Sequence, residues 1–318
     1  MSARVELIRG LHNLRSRHHG SVVTIGNYDG VHLGHRAMLA ALRRQAVEHG
    51  QATTVVTFEP NPREYLAPDS APARLMRLRE KFAALGCQGV ERVLLLRFDA
   101  AMQAVPASEF VERVLVQGLG ARALVVGHDF RFARRREGNV AMLREAGARR
   151  GFEVEEVDAY LLDGERVSSS LVRAALGAGD LARASRLLGD NYRIAGRVRR
   201  GKQLGRRLGY PTANLALHRK VVPLSGIFAV RVHGTGLAGH PAVASLGTRP
   251  TVDERGEPLL EAHLFDFDGD LYGRQLEVEF LVRLREERRF ESLDALVEQM
   301  HRDEAEARAA LAALAGRN

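Results

Sequence analysis

Cysteine is almost missing from this chain. With Cys87 alone, no intramolecular disulfide is possible, which fits a reducing compartment and leads us to expect a cytoplasmic protein. Long apolar runs are missing too: no stretch reaches the roughly 18 residues of a spanning helix, so no membrane partner is expected. The opening MSARVELIRG lacks the apolar core of a secretory leader. Lysine is scarce. Only Lys81, Lys202 and Lys220 are lysines among 47 basic side chains; the rest are arginines. The net charge of +8 and pI near 10.2 therefore read as arginine drift spread along the chain, and nucleic acid is not the expected partner. The densest basic run, Ala133 to Glu137 (ARRRE), is short. What remains is 318 residues, 45% hydrophobic and 27% charged, enough for two domains with separate cores.

In the first half, short apolar segments alternate with helical stripes. Val22–Ile25, Thr53–Phe58, Arg92–Phe98, Arg122–Gly127 and Glu153–Val157 read as strands; Leu33–His49, Arg74–Leu85, a segment capped by Ser108, and Val140–Arg150 read as helices. This alternation predicts a parallel sheet covered by helices on both faces, with ligands beyond the carboxyl ends of the strands.

His32 and His35 follow the first of these strands, Glu59, Asn61 and Pro62 (FEPNP) the second, and His128, Asp129 and Phe130 the fourth; RVSSSLVR joins the site by its position in the chain. VVTIGNYDGVHLGH (Val22 to His35) runs from a strand through Gly26, Asp29 and Gly30 to a helix start bearing His32, Gly34 and His35. A glycine turn entering a helix N-terminus suits a phosphate, and two imidazoles three residues apart share one face of the first turn. The same residues also fit two histidines on a surface turn. GHDFRF (Gly127 to Phe132) sets Asp129 beside two aromatics, which fits either a ligand site or a core pair beside a solvated charge run. RVSSSLVR (Arg166 to Arg173) opens a helix with Ser169 and Ser170; these fit phosphate contacts or plain N-capping.

After a last helix, Asp180–Leu188, the period changes to two. Gly226–His233, Leu260–Phe267 and Gln275–Leu284 read as antiparallel strands of a barrel or sandwich. Ser292–Leu314 reads as a closing helix with Leu293, Leu296, Val297 and Met300 inward. The boundary is placed so that residues 1–188 form one domain and 189–318 the other. GRVRRGKQLGRRLGYPTANL (Gly196 to Leu215) spaces Gly201, Gly205 and Gly209 four apart around Lys202. It lacks the GK[ST] ending of a P-loop, but a cationic glycine loop can still close over phosphates. Pro211, Thr212 and Asn214 follow; the Thr and Asn oxygens suit Mg²⁺ held mainly by phosphates. Glu261 lies opposite the apolar face of its strand, placed either to accept a proton or to face solvent. SLGTRP (Ser245 to Pro250) reads as a polar loop after a strand.

GNYDGVHLGH, FEPNP, GHDFRF, RVSSSLVR, PTAN, GTRPT, the Glu261 strand and RRFESLDAL occur in an order that resembles the bacterial bifunctional riboflavin kinase/FMN adenylyltransferase family. The resemblance implies a Rossmann-like α/β nucleotidylyltransferase domain followed by an antiparallel Greek-key β-barrel domain with a C-terminal helix. It implies that the chain phosphorylates riboflavin to FMN with ATP and Mg²⁺, then adenylylates FMN to FAD. In the first module His32 and His35 would act at the ATP phosphates, with Gly26, Asp29, Gly30, Gly34, Arg166, Ser169 and Ser170; Asn61 and Asp129 would meet the flavin nucleotide. In the second, Glu261 would be the catalytic base, Gly201, Lys202, Gly205, Pro211, Thr212 and Asn214 would bind ATP, and Thr212 and Asn214 would meet the metal. A monomer or weak homo-oligomer is implied. Tyr28, Ala133 and Ser170 replace the usual Phe, Gly and Thr, and Ser245 replaces a common Asn. The HxGH-type signature alone also fits transfer to another phosphorylated acceptor, and the basic charge fits a nucleic-acid-binding protein with a vestigial nucleotide fold; the signature also resembles that of class I aminoacyl-tRNA synthetases, whose KMSKS-type lysine motif is absent.

Overall fold

The structure is a computed structural model, and it describes residues 5–201, 209–234, 236–248 and 258–316. The chain divides into two compact units: Met1–Pro72 with Met76–Ser168, and Ala73–Leu75 with Ser169–Asn318.

In the first unit the strands are β1 (Glu6–Arg9), β2 (Ser21–Ile25), β3 (Ala52–Glu59), β4 (Arg92–Arg97), β5 (Ala123–Gly127) and β6 (Glu153–Val157). They form a parallel sheet in the order β1-β4-β3-β2-β5-β6. The helices are α1 (Leu33–His49), α2 (Pro62–Leu66), α3 (Leu78–Cys87), α4 (Ala100–Ala104), α5 (Ala107–Phe110), which runs into a π turn at Val111–Val116, and α6 (Val140–Arg150). The strands are apolar on both faces because both are covered, as expected for a parallel sheet. Val22, Val55, Val93 and Val125 pack with Leu39 and Leu42 of α1 and Leu85 of α3. Their neighbours Val23, Val56, Leu94 and Val126 pack with Phe110, Leu115 and Leu143 from the opposite side. A short hairpin, β7 (Leu161–Leu162) with β8 (Glu165–Arg166), closes the unit.

The helix expected from Arg74 and the cap expected at Ser108 differ in the structure. The helix expected from Arg74 starts at Leu78, because the carbonyls before it are claimed elsewhere. Arg173 donates to Ala73 O at 2.6 Å, Arg219 to Arg74 O at 2.8 Å, and the Tyr192 hydroxyl to Leu75 O at 3.0 Å. Leu75 is fully buried, but not in a helical stripe. Ser108 lies inside α5, whose N-cap position is Pro106; proline has no capping side chain, and the first helical amide, Ala107 N–H, donates instead to Glu137 Oε1 at 2.8 Å.

The second unit opens with α7 (Ser169–Gly177) and α8 (Leu181–Leu188), then β9 (Arg193–Arg199), β10 (Ala213–Ala216), β11 (Gly226–Gly234), β12 (Leu237–Thr248), β13 (Pro258–Leu264), β14 (Gln275–Arg285) and α9 (Leu293–Ala315). The strands close an antiparallel barrel in the order β10-β13-β12-β11-β14-β9. Side chains alternate inward and outward, with register shifts in β11 at Ile227/Phe228, Ala229/Val230 and Val232/His233. Leu215, Phe228, Val230, Leu246, Leu260, Leu276 and Phe280 are buried, and the rings of Phe228 and Phe280 meet edge to face at 5.2 Å. Ala307 and Leu311 of α9 cover Ala229 and Phe265 on the outside. The buried stripe of α9 is Asp303, Ala307 and Leu311, whereas Leu293, expected inward, is exposed. Ser245 is within β12, not in a loop beyond it.

Candidate functional site

In the first unit the strand order reverses at β2. The chain steps from β2 to β3 and β4 on one side and returns to β5 on the other. Such a reversal opens a crevice beyond the strand ends, the usual ligand position in open α/β sheets. The turn from β2 to α1 lies there. Tyr28, Gly30 and Val31 have φ of 48°, 91° and 40°, an unfavourable backbone for the two non-glycine residues that the surroundings must hold. They do. The buried Tyr28 hydroxyl is 2.7 Å from Thr24 Oγ1, and buried Asp29 accepts the Met76 N–H at 2.9 Å. Burial raises the Tyr28 pKa, so its hydroxyl keeps its proton.

His32 is the N-cap of α1, its Nδ1 accepting the His35 N–H at 3.4 Å. A neutral ring accepting at Nδ1 carries its proton on Nε2, a donor suited to an anionic oxygen. The His32 and His35 rings stack at 3.7 Å. Burial, then the neighbouring His32 and Lys81, hold the His35 pKa well below the ordinary imidazole value. Its Nδ1 is buried without a hydrogen-bond partner among the described residues. Gly34 permits the stack: an added Cβ would lie 3.3 Å from the His32 ring and from Val167 O. At Gly26 it would lie 3.0 Å from the Tyr28 ring.

Asn61 follows β3 and caps α2, its Oδ1 accepting the Arg63 N–H at 3.1 Å. Asp129 follows β5 and accepts from Arg166 at 2.7 Å, an ion pair that lowers the Asp129 pKa. The structure therefore brings two of the predicted residues together as partners. Ser169 and Ser170 open α7 and belong to the second unit.

Two features escaped the sequence reading. Lys81 of α3 is buried and electrostatically close to His35. Its signal was a lysine on the apolar stripe, three residues from Leu78 and four from Leu85. The second is a run of rings at the carboxyl ends of β3, β4 and β5. Tyr65 meets Phe98 at 5.6 Å, Phe98 meets Phe58 at 5.9 Å, Phe110 meets Phe132 at 5.6 Å, and Phe132 stacks on Phe130 at 5.6 Å. Aromatics clustered at strand ends were visible in the sequence; their continuity needs the fold.

In the second unit, register aligns the candidate residues across the barrel wall. Arg199 of β9 pairs with Asn214 of β10, Asn214 with Glu261 of β13, and Glu261 with Ser245 of β12. Leu260 and Ala262 point inward, so Glu261 is on the outer face with these partners. Asn214 is buried; an added Cβ at Gly201 would lie 2.6 Å from its Oδ1, so glycine lets the backbone approach the carboxamide. Pro211 O is held by His263 at 2.9 Å, and Thr212 O lies 3.5 Å from the Asn214 amide. Lys202 and Gly205 lie outside the described residues, as do Arg249 to Thr251 of GTRPT.

Both halves of the sequence match known families: FAD synthetase over residues 14–171 and riboflavin kinase over residues 188–311. A bifunctional riboflavin kinase/FMN adenylyltransferase of Pseudomonas fluorescens is 52% identical over 98% of this chain and 100% of its own length. The chain belongs to the bifunctional riboflavin kinase/FMN adenylyltransferase family. Family members from Escherichia coli K12 and Haemophilus influenzae are 46% and 45% identical, over 96% and 94% of this chain and 97% of each relative. A crystal structure from Streptococcus pneumoniae, described as a macrolide-efflux protein, superposes with a TM-score of 0.82 at 29% identity, covering 96% of this chain and 99% of that one. Among the described residues no helix is long and apolar enough to cross a membrane. The parallel sheet with its helices and the closed barrel with its closing helix are the two modules of the riboflavin kinase/FMN adenylyltransferase fold.

Proposed function

We propose that the two activities of this family are divided between the two clusters. The chain phosphorylates riboflavin to FMN at the barrel and adenylylates FMN to FAD at the parallel sheet, with ATP as co-substrate in both steps. The observation carrying this division is that each unit has its own candidate chemistry: stacked imidazoles at a helix N-terminus in one, and a carboxylate beside a buried carboxamide in the other.

At the barrel, Glu261 takes the proton of the ribityl 5′-hydroxyl. The oxygen attacks the γ-phosphorus of ATP, and ADP leaves. Asn214 and Thr212 supply neutral oxygen donors, which fits Mg²⁺ held chiefly by the phosphates. When bound, Mg²⁺ neutralises phosphate charge. Positioning and charge compensation then do most of the catalytic work. Lys202 and Gly205 complete the nucleotide loop in this proposal.

At the sheet, an FMN phosphate oxygen attacks the α-phosphorus of ATP, and pyrophosphate leaves. No protein nucleophile is required. His32, as an Nε2–H donor, and the amides of the α1 N-terminus stabilise charge on the phosphates. The unpartnered Nδ1 of His35 and buried Lys81 support placing an anion-bearing ligand here. Gly26, Gly30, Gly34 and Asp29 hold the turn that presents these groups. Arg166, with Ser169 and Ser170, is assigned to ATP phosphates by motif; Asn61, Asp129 and the aromatic run are assigned to FMN. We assign the adenylyltransferase module to residues 1–188 and the kinase module to 189–318.

Many arginines are taken up in scattered ion pairs, including Arg144 with Glu156, Arg193 with Glu277 and Arg308 with Asp266. This supports small anionic substrates over nucleic acid. We further take the protein to be cytoplasmic and a monomer or weak homo-oligomer. The reaction test is stoichiometric. Riboflavin with MgATP should yield one ADP per flavin phosphorylated and one pyrophosphate per FAD; supplied FMN should yield pyrophosphate without ADP. ADP formation from FMN would contradict the assignment.

A further inference from the structure

The carboxylate of Glu287, in the segment following β14, is not used by the chemistry above. It lies against the outer face of β12. Both of its oxygens are 2.0 Å from where a Cβ on Gly247 would stand, and the Ser245 hydroxyl is 3.4 Å from Oε1. Residues 245 and 247 share a face of β12, and Ser245 is the register partner of Glu261. Opposed side chains on neighbouring strands stand about 5 Å apart at Cβ. A second carboxylate is thus set beside the proposed base, with Ser245 between them.

We infer that Glu287 recognises the polyol chain of the phosphoryl acceptor by accepting hydrogen bonds from its hydroxyls. Its charge decides which half of the site it serves. An ionised carboxylate only accepts hydrogen bonds, and it repels a triphosphate. The hydroxyls of a ribityl chain are donors without charge, and a carboxylate is a strong acceptor for them. Gly247 is the residue that lets the carboxylate reach this face, and any side chain at 247 displaces it. The inference rests on placing the kinase site on the outer face of β10, β13 and β12.

The test measures steady-state phosphorylation of riboflavin by the full chain. Glu287→Ala is expected to raise KM for riboflavin roughly tenfold or more, the loss of one charge-assisted hydrogen bond, with KM for MgATP and the Mg²⁺ requirement unchanged. Gly247→Ala should do the same, and Gly247→Ala added to Glu287→Ala should cost nothing more, because the methyl then fills the vacated space. A flavin acceptor lacking one interior ribityl hydroxyl should show a smaller effect of Glu287→Ala than riboflavin does; a merely structural role would affect both acceptors equally. Conversion of supplied FMN to FAD, unchanged in all variants, verifies folding of the first unit, and unchanged KM for MgATP verifies the barrel. An unchanged riboflavin KM, an equal effect on both acceptors, or a selective change in Mg²⁺ requirement overturns the inference. If Glu261→Gln leaves kinase activity intact, the placement of the site has failed instead.

Discussion

Asn214 on β10 and Glu261 on β13 are register partners, so a carboxamide and a carboxylate from strands far apart in sequence stand side by side on the outer barrel face. Glu261→Gln keeps the shape and removes the base. Riboflavin phosphorylation should fall by about a hundredfold or more, the range of a lost general base. FAD formation from supplied FMN should persist. Chromatography of both reactions reads the two outcomes.

His32→Asn separates the two jobs of His32. Asparagine is a good N-cap, so the roughly 1 kcal/mol of capping is retained and the fold should hold. The Nε2–H donor is gone. FMN should accumulate from riboflavin, with FAD formation down about a hundredfold, the scale of one removed transition-state donor.

At Gly34, stability and activity should part. Gly34→Ala in the first turn of α1 gains helix propensity of up to about 1 kcal/mol, but its Cβ would press on the His32 ring and Val167 O at 3.3 Å. Thermal unfolding should show little loss, or a gain. FAD formation should drop. An unchanged rate would show that the stacked imidazole geometry is not required.

The folded pKa of His35 lies below its ordinary value of 6.5, chiefly through burial. The unfolded chain therefore takes up that proton first as pH falls. The stability tied to neutral His35 is full above about pH 6.5 and is lost progressively below it, toward the folded pKa. Unfolding of the first unit should shift to lower temperature between about pH 7 and pH 5.5, and the shift should be smaller in His35→Gln. Equal shifts in both proteins would count against it.

The Asp129–Arg166 pair is half exposed, with relative side-chain accessibilities of 53% and 52%. Such pairs contribute about 0–1 kcal/mol, so Asp129→Ala should barely move the melting temperature. Its effect should fall on FMN adenylylation. Because Arg166 lowers the Asp129 pKa, the pair persists at pH above the ordinary aspartate range and is lost as pH falls through the lowered value. FAD formation between pH 6 and 8 should show no step from this pair, as a rate profile can verify.

Much of this was legible in the sequence, for identifiable reasons. Buried strands such as Val22–Ile25 and the stripe of α1 carry their own periodicity, and the HxGH signature follows a strand. The edge strand Glu6–Arg9 and the four-residue Ala213–Ala216 were missed because neither is long enough to display a period. Arg74 to Met76 looked helical because Leu75 matched the spacing; only tertiary structure shows its carbonyls claimed by Arg219 and Tyr192. Asp129 and Arg166 each stand in a recognisable motif, but that they hold each other is a contact across 37 residues. Lys81 was hidden by its type, a charged residue on an apolar stripe.

The division of labour is tested most directly by mixing Glu261→Gln and His32→Asn proteins with riboflavin and MgATP. Neither alone should yield FAD from riboflavin: the first leaves riboflavin, the second stops at FMN. Together they should make FAD, the FMN released by one protein being adenylylated by the other. FAD from either variant alone at the wild-type rate, or none from the mixture of two folded proteins, would contradict two separate sites on this chain.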